Sequence, residues 1–270
     1  TPLARGADLH LPVLPGADVP VALGMMHVAV VEGLCDEDGL HARTEGWIGG
    51  LQLAGLSMQG AVDRPAIIEA FDGRNRFVMD YLVEEVLAAQ EPEVRQFLLR
   101  TSILDRMCAS LCEAVTGRPD SAAILDRLER LRLFVVPLDD RREWFRYHAL
   151  FADLLQHQLG RSADVRTSDC RLAASEWHER RGAIDEAAEY ALAAGDAERV
   201  AAITERHGRD MFLAGQSKRL HEILGQVPLD LITTNPDRLS IALWVRFNRE
   251  GAYPATWLRT LEDMVRDDPD

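Results

Sequence analysis

The sequence predicts a mainly α-helical chain carrying a single β-hairpin, and three observations predict it. Apolar residues recur at helical spacing through most of the chain beyond residue 77. One β-branched and aromatic run (Leu133, Phe134, Val135, Val136 and Leu138) departs from that spacing. From residue 169 onward, alanine-rich segments are separated by short breakers, the pattern of helix pairs stacked closely in an α-solenoid.

In order along the chain, residues 1–20 hold four prolines and read as loop, with one strand at Leu9–Leu14. Val21–Leu34 and Asp36–Ala42 read as helices. Thr44 is a candidate N-cap for a buried helix bearing Trp47, Leu51, Leu53, Ala54 and Met58. Gly46, Gly49, Gly50 and Gly55 in that segment allow close approach to a neighbour or a ligand. Residues 61–74 read as a short helix and turn, and Phe77–Ala89 as an amphipathic helix presenting Val78, Tyr81, Leu82 and Val86.

Pro92 opens the next helix at a favoured early position, and helices follow over Cys108–Val115 and Ser121–Leu133. Then come a strand, the polar turn Asp139–Arg142, a second strand over Trp144–Tyr147, and a helix from Ala149 that aligns Leu150, Leu154, Leu155 and Leu159. A hairpin closing a small helical bundle is the plan of a winged helix, and it places His148 where the wing hands over to a helix. Past a polar linker at residues 160–167, helices are expected over Asp169–Arg181, Ile184–Ala193, Ala197–His207, Met211–Leu224, Leu239–Asn248 and Ala255–Val265.

The 270 residues carry a net charge of −14, which argues against this stretch gripping nucleic acid, because phosphate binding needs clustered cations. The longest apolar run, near Val19–Val31, is broken by Pro20 and His27 and is too short to span a bilayer. No signal peptide is recognisable, and four scattered cysteines without a C-x-x-C pair read as reduced thiols, so a cytoplasmic location is expected. No metal site is expected, since Cys108 and Cys112 share a helical face without a neighbouring histidine.

No catalytic constellation is legible. Lys218 is the only lysine and lies in no G-x-x-x-x-G-K-[ST] frame, so the residues contain no Walker A loop. His221-Glu222 lacks the second histidine of a zinc-protease helix, and no G-x-S-x-G elbow occurs. The chain is therefore not expected to be an enzyme. Arg146 reads as solvated, and Asp139–Arg142 as an exposed turn whose ion pairs matter little.

Six segments in order, TEGWIGGLQLA, FVMDYLVEEVLAAQ, FLLRTSIL, LERLRLFVVPLDD, WFRYHALFADLL and DEAAEYALAAGD, resemble the middle of large ATP-dependent LuxR-type transcriptional activators of the MalT kind. These belong to the signal-transducing NTPases that include plant disease-resistance and apoptosome proteins. The resemblance implies four parts: residues 1–60 as the end of an NTPase domain, 61–92 as a helical arm, 93–165 as the winged helix, and 166–270 as the start of a TPR-like helical-repeat sensor. It implies a nucleotide-sensing role for His148, whose counterpart touches the β-phosphate of bound ADP. It implies another for Gly50 and Leu51, in the counterpart of a Gly-Leu-Pro-Leu segment where Gln52 replaces proline.

The same resemblance implies a fragment of a longer parent: no cofactor of its own, ATP or ADP in that parent, and self-association there. It further implies a small-molecule or protein inducer on the repeats, DNA contact only through a separate C-terminal domain, and no membrane. The function expected is the central signal relay of such a regulator. A free-standing winged-helix and helical-repeat adaptor for protein partners is the alternative.

Overall fold

The computed structural model describes Glu45, Asp80 and residues 82–131, 134–162 and 165–267. The expected elements before residue 77, with Trp47, Gly50 and Leu51 among them, lie outside the described residues. So does the first part of the helix expected over 77–89. The described residues are mainly α-helical with one two-stranded antiparallel sheet, as the periodicity predicts.

The chain divides into two compact units, residues 1–106 with 125–161, and 107–124 with 162–270. In the first, Leu82–Leu87 forms a π-helical turn where an α-helix is expected, with the Ala88 amide donating to the Val83 carbonyl at 2.8 Å. The wider i→i+5 turn brings Leu82 and Leu87 inward together with Val86. Helix α1 (Pro92–Thr101) starts at its proline and buries Val94, Phe97, Leu98 and Thr101, one face at i, i+3, i+4 and i+7.

Helix α3 (Ser121–Arg130) is shorter than expected, and Phe134 turns the chain toward the hairpin with φ of 57°. Strands β1 (Val135–Pro137) and β2 (Phe145–Tyr147) pair with Val136 opposite Arg146. The turn between them is more organised than its charge suggests. Both Asp139 carboxylate oxygens accept amides, from Glu143 at 3.0 Å and Trp144 at 2.9 Å. These bonds, the Glu143 one foremost, hold the Asp139 carboxyl below its ordinary range. Helix α4 (Ala149–Arg161) passes through Gly160, which does not end it, and buries Leu150, Phe151, Leu154, Leu155 and Leu159 against α1. Each such side chain contributes ~1.5–3 kcal/mol on burial.

In the second unit, helix α2 (Ala109–Thr116) packs on α5 (Thr167–Arg180), although its sequence falls within the stretch expected to be winged helix. Helices α5 and α6 (Ile184–Ala194) approach through Ala174, Ala187, Ala188 and Ala191, all fully buried. Ser175 Oγ donates across that seam to the Ala187 carbonyl at 2.8 Å. Small side chains are what permit so close an approach.

Helix α7 (Ala197–Leu213) runs on well past the expected end at His207, because Gly208 is an interior helical residue. A Cβ there would stand 3.1 Å from two Ile241 carbons. The break comes at Gly215, whose φ of 78° only glycine adopts without strain. Consequently α8 (Ser217–Leu224) starts after that glycine rather than at Met211. A short helix α9 (Leu229–Thr233), not foreseen, follows Pro228. Helices α10 (Pro236–Glu250) and α11 (Ala255–Asp267) complete the succession, α10 being capped by the Asn235 side chain, which accepts the Arg238 amide at 3.0 Å. Successive helices pack on their neighbours around one core, a helical array.

Candidate functional site at the wing-to-helix corner

His148 belongs to both the hairpin and the helix that follows. Its amide donates to the Phe134 carbonyl at 2.8 Å, closing the sheet. Its carbonyl accepts the amides of Phe151 at 3.0 Å and Ala152 at 2.9 Å, starting the α4 ladder. Rotation of either element therefore moves the imidazole. The residue is 7% exposed, and its ring meets Phe134 edge-on at 5.8 Å while Phe134 stacks on Phe151 at 5.2 Å.

Strand alternation sets the chemistry on each side. Phe145 and Tyr147 turn into the core, whereas Arg146 is partly exposed. Arg146 is not simply solvated, as its sequence position suggests. Its Nη1 donates to both Glu45 oxygens, at 3.0 and 2.9 Å, and to the Tyr147 carbonyl at 3.1 Å. Glu45 Oε2 also stands 4.0 Å from His148 Nε2. That partner is 101 residues away in sequence, beyond the reach of local pattern.

A cavity of about 520 Å³ opens beside the histidine, lined by His148, Phe134, Val135, Val136 and Pro137 together with Glu129, Arg130 and Arg142. Arg142 pairs with Glu129 at 3.3 Å. Among the described lining residues, two arginines and an imidazole against one carboxylate, on an apolar wall, suit an anionic ligand with a flat apolar part. The sequence singles out His148 alone. Arg130, Arg142 and Glu129 look like surface charges until the hairpin folds over α3. Gly50 and Leu51 lie outside the described residues.

A second cluster lies in the helical array. Glu179, a largely buried side chain, bonds Arg199, accepts Arg206 Nη1 at 2.8 Å and meets His207 Nε2 at 3.0 Å. Burial alone would raise the Glu179 carboxyl, yet His207, Arg199 and Arg206 together hold it below its ordinary range. Further along, Trp244, Phe247 and Tyr253 are 44%, 55% and 43% exposed around a groove of about 310 Å³.

Burial pushes the Cys112 thiol up, with a smaller contribution from Cys108, so it is an inert core residue. Among the described residues no group of three or more His, Cys, Asp or Glu could hold a metal, and no helix is long and apolar enough to cross a membrane.

Helices closed by a hairpin, with a buried histidine at the corner, define a winged-helix module, and a helical array follows it in sequence. Residues 83–167 match the family model described as the MalT winged helix domain. The chain is 32% identical over 222 residues to the serine/threonine-protein kinase PknK of Mycobacterium tuberculosis, covering 82% of this chain and 20% of that protein. It is 30% identical over 232 residues to the HTH-type transcriptional regulator MalT of Vibrio cholerae, covering 80% of this chain and 26% of the relative. The MalT of Yersinia pestis is 33% identical over 214 residues, 78% of this chain and 23% of that one. The chain spans about a fifth to a quarter of the length of these relatives. Over residues 83–167 the chain matches the MalT winged helix domain, and over about four-fifths of its length it is MalT-like.

Proposed function

We propose that this chain is the central relay of a MalT-like, nucleotide-dependent transcriptional regulator, coupling signal reception on the helical array to nucleotide state at the winged helix. The observation that carries the reading is His148, fixed by backbone bonds to Phe134 at the start of β1 and to the first turn of α4, and lining a cavity with Arg130 and Arg142. An imidazole so held offers a nitrogen to a phosphate oxygen. A ligand gripping it there favours one setting of the corner over another, which is what a switch requires.

In this reading the chain holds no cofactor of its own and performs no catalysis. ATP or ADP belongs to the parent polypeptide, with Gly50 and Leu51 assigned to nucleotide sensing alongside His148. A small-molecule or protein inducer occupies the helical array and loosens the clamp. Self-association follows, and DNA is reached only through a separate domain. The relatives support a relay rather than an output: similar segments occur in proteins named as a kinase and as HTH-type regulators, so what they share is not the effector chemistry.

The test is ADP retention by the full natural polypeptide after gel filtration. His148→Ala should lose bound ADP at least tenfold faster and raise basal transcription. Unchanged retention and unchanged basal activity reject the reading. The exposed aromatics Trp244, Phe247 and Tyr253 favour a second reading, an adaptor whose array docks a protein partner. In that case nucleotide has no effect on partner binding.

A further inference from the structure

The first unit is interrupted in sequence by a segment that belongs to the second. Residues 107–124 go with 162–270, although residues of the first unit flank them on both sides. The segment holds α2 and the start of α3, so the chain passes between the units at 106/107 and 124/125 as well as at 161/162. The units are therefore joined through an internal element and not only end to end.

That element is stiff at both of its joints. Helix α2 buries Leu111, Cys112, Val115 and Thr116, and its chief helix partner is α5. Arg181, one residue beyond α5, donates from Nη2 to Ser110 Oγ at 3.2 Å and lies over the Trp177 ring at 4.4 Å. The corner between α2 and α3 is fixed as well. Gly117 takes a left-handed φ of 73° and donates its amide to the Glu113 carbonyl at 2.8 Å. Arg118 grips Asp120 through Nε at 2.9 Å and Nη2 at 2.7 Å. Ser121, almost wholly buried, donates its hydroxyl to the Arg118 carbonyl at 2.7 Å, and Pro119 between them has no freedom in φ.

The boundary between the units falls inside α3, between Ile124 and Leu125. One hydrogen-bonded helix thus starts with the array and ends with the winged helix. It contains neither proline nor glycine, so it has no hinge of its own. Its last turn carries Glu129 and Arg130 into the wall of the cavity beside His148.

We propose that α2 and α3 are the lever of the relay: α2 opens and closes with the helical array, and α3 carries that movement to the cavity wall at Glu129 and Arg130. This rests on the relay reading above and adds the element that transmits. A ligand that rearranges the array shifts α2 through its seam with α5, and the stiff corner passes the shift to α3.

Hydrogen exchange read by mass spectrometry tests the lever on this chain. Glu179→Gln loosens the array at neutral pH. Peptides covering 109–116 should then exchange faster by the same factor as those covering α6 and α7, about tenfold, while those covering α1 and α4 change by less than about twofold. Tyr147→Phe should do the reverse, speeding α1 and α4 and leaving 109–116 as they were. If 109–116 follow α1 and α4 in either variant, α2 belongs to the winged helix and the proposal is overturned. In the full natural polypeptide, Glu179→Gln should speed ADP release. Pro119→Gly with Asp120→Ala slackens the corner, and in that background the effect of Glu179→Gln should fall by at least about half. An undiminished effect overturns the lever. Exchange as expected, with ADP release indifferent to His148→Ala, rejects the relay and leaves α2 as part of the array. The opposite pair of results rejects the lever and leaves the relay.

Discussion

Tyr147 Oη lies 2.6 Å from Thr101 Oγ1, a buried hydroxyl pair that ties the end of β2 to the end of α1 one residue before His148. The Thr101 hydroxyl gives its one proton to the Phe97 carbonyl at 2.8 Å, so the phenol donates to Thr101 Oγ1. Gln156 reinforces the tie, its Nε2 donating to the Ser102 carbonyl at 3.1 Å. The corner that positions the histidine is thus anchored from both sides. Tyr147→Phe removes one net hydrogen bond and leaves its ring packing intact. It should cost ~1 kcal/mol in urea unfolding monitored by circular dichroism. A loss below the error of the experiment would mean that the hydroxyl pair does not anchor the wing.

The Glu179 cluster makes the helical array acid-sensitive. Because the folded carboxyl titrates below its ordinary value of 4.5, its contribution is fully present above about that pH and is lost as pH falls through the folded value. Glu179→Gln should therefore destabilise the array near neutral pH and narrow its gap from the unsubstituted chain in acid. Thermal melts between pH 3 and 7 read this directly. A gap that widens in acid would have the wrong sign.

Gly208 marks a close approach of α7 to α10. Ile241 can yield by tenths of an ångström for a methyl group but not for a branched side chain. Gly208→Leu should cost ~1–3 kcal/mol by overpacking, despite the better helix propensity of leucine. A variant as stable as the parent would show that the two helices can separate at that point without loss.

Thiol labelling should follow burial. Cys112 and Cys170 are buried and Cys108 is half-buried. In the native chain, a maleimide should modify Cys108 well before Cys112 or Cys170, as read by peptide mass spectrometry, and all should react at similar rates in urea. Early native labelling of Cys112 would place α2 away from the core that covers it.

Most of the helices, the hairpin and the position of His148 were legible because each rests on local periodicity or on a local turn signal. Elements that depended on the neighbour were not. Gly160 and Gly208 look like breaks in a string of residues, but a helix tolerates glycine wherever packing favours continuity, and the chain uses left-handed freedom instead at helix ends such as Gly195, Gly215 and Gly251. The π-helical turn at Leu82–Leu87 arises because three apolar side chains share one core, which a fixed helical period does not describe. At the site, the imidazole could be placed by its corner. Arg130 and Glu129 on α3, Arg142 in the turn and Glu45 far upstream converge only through tertiary folding.

The central claim is that His148 reads nucleotide state, and ADP retention tests it most directly. The full natural polypeptide and its His148→Ala variant should be purified side by side and their bound nucleotide quantified after exhaustive gel filtration. The account predicts that the parent retains ADP and that the variant releases it at least tenfold faster while keeping its fold. Equal retention by the two proteins, or no nucleotide on either, would contradict it.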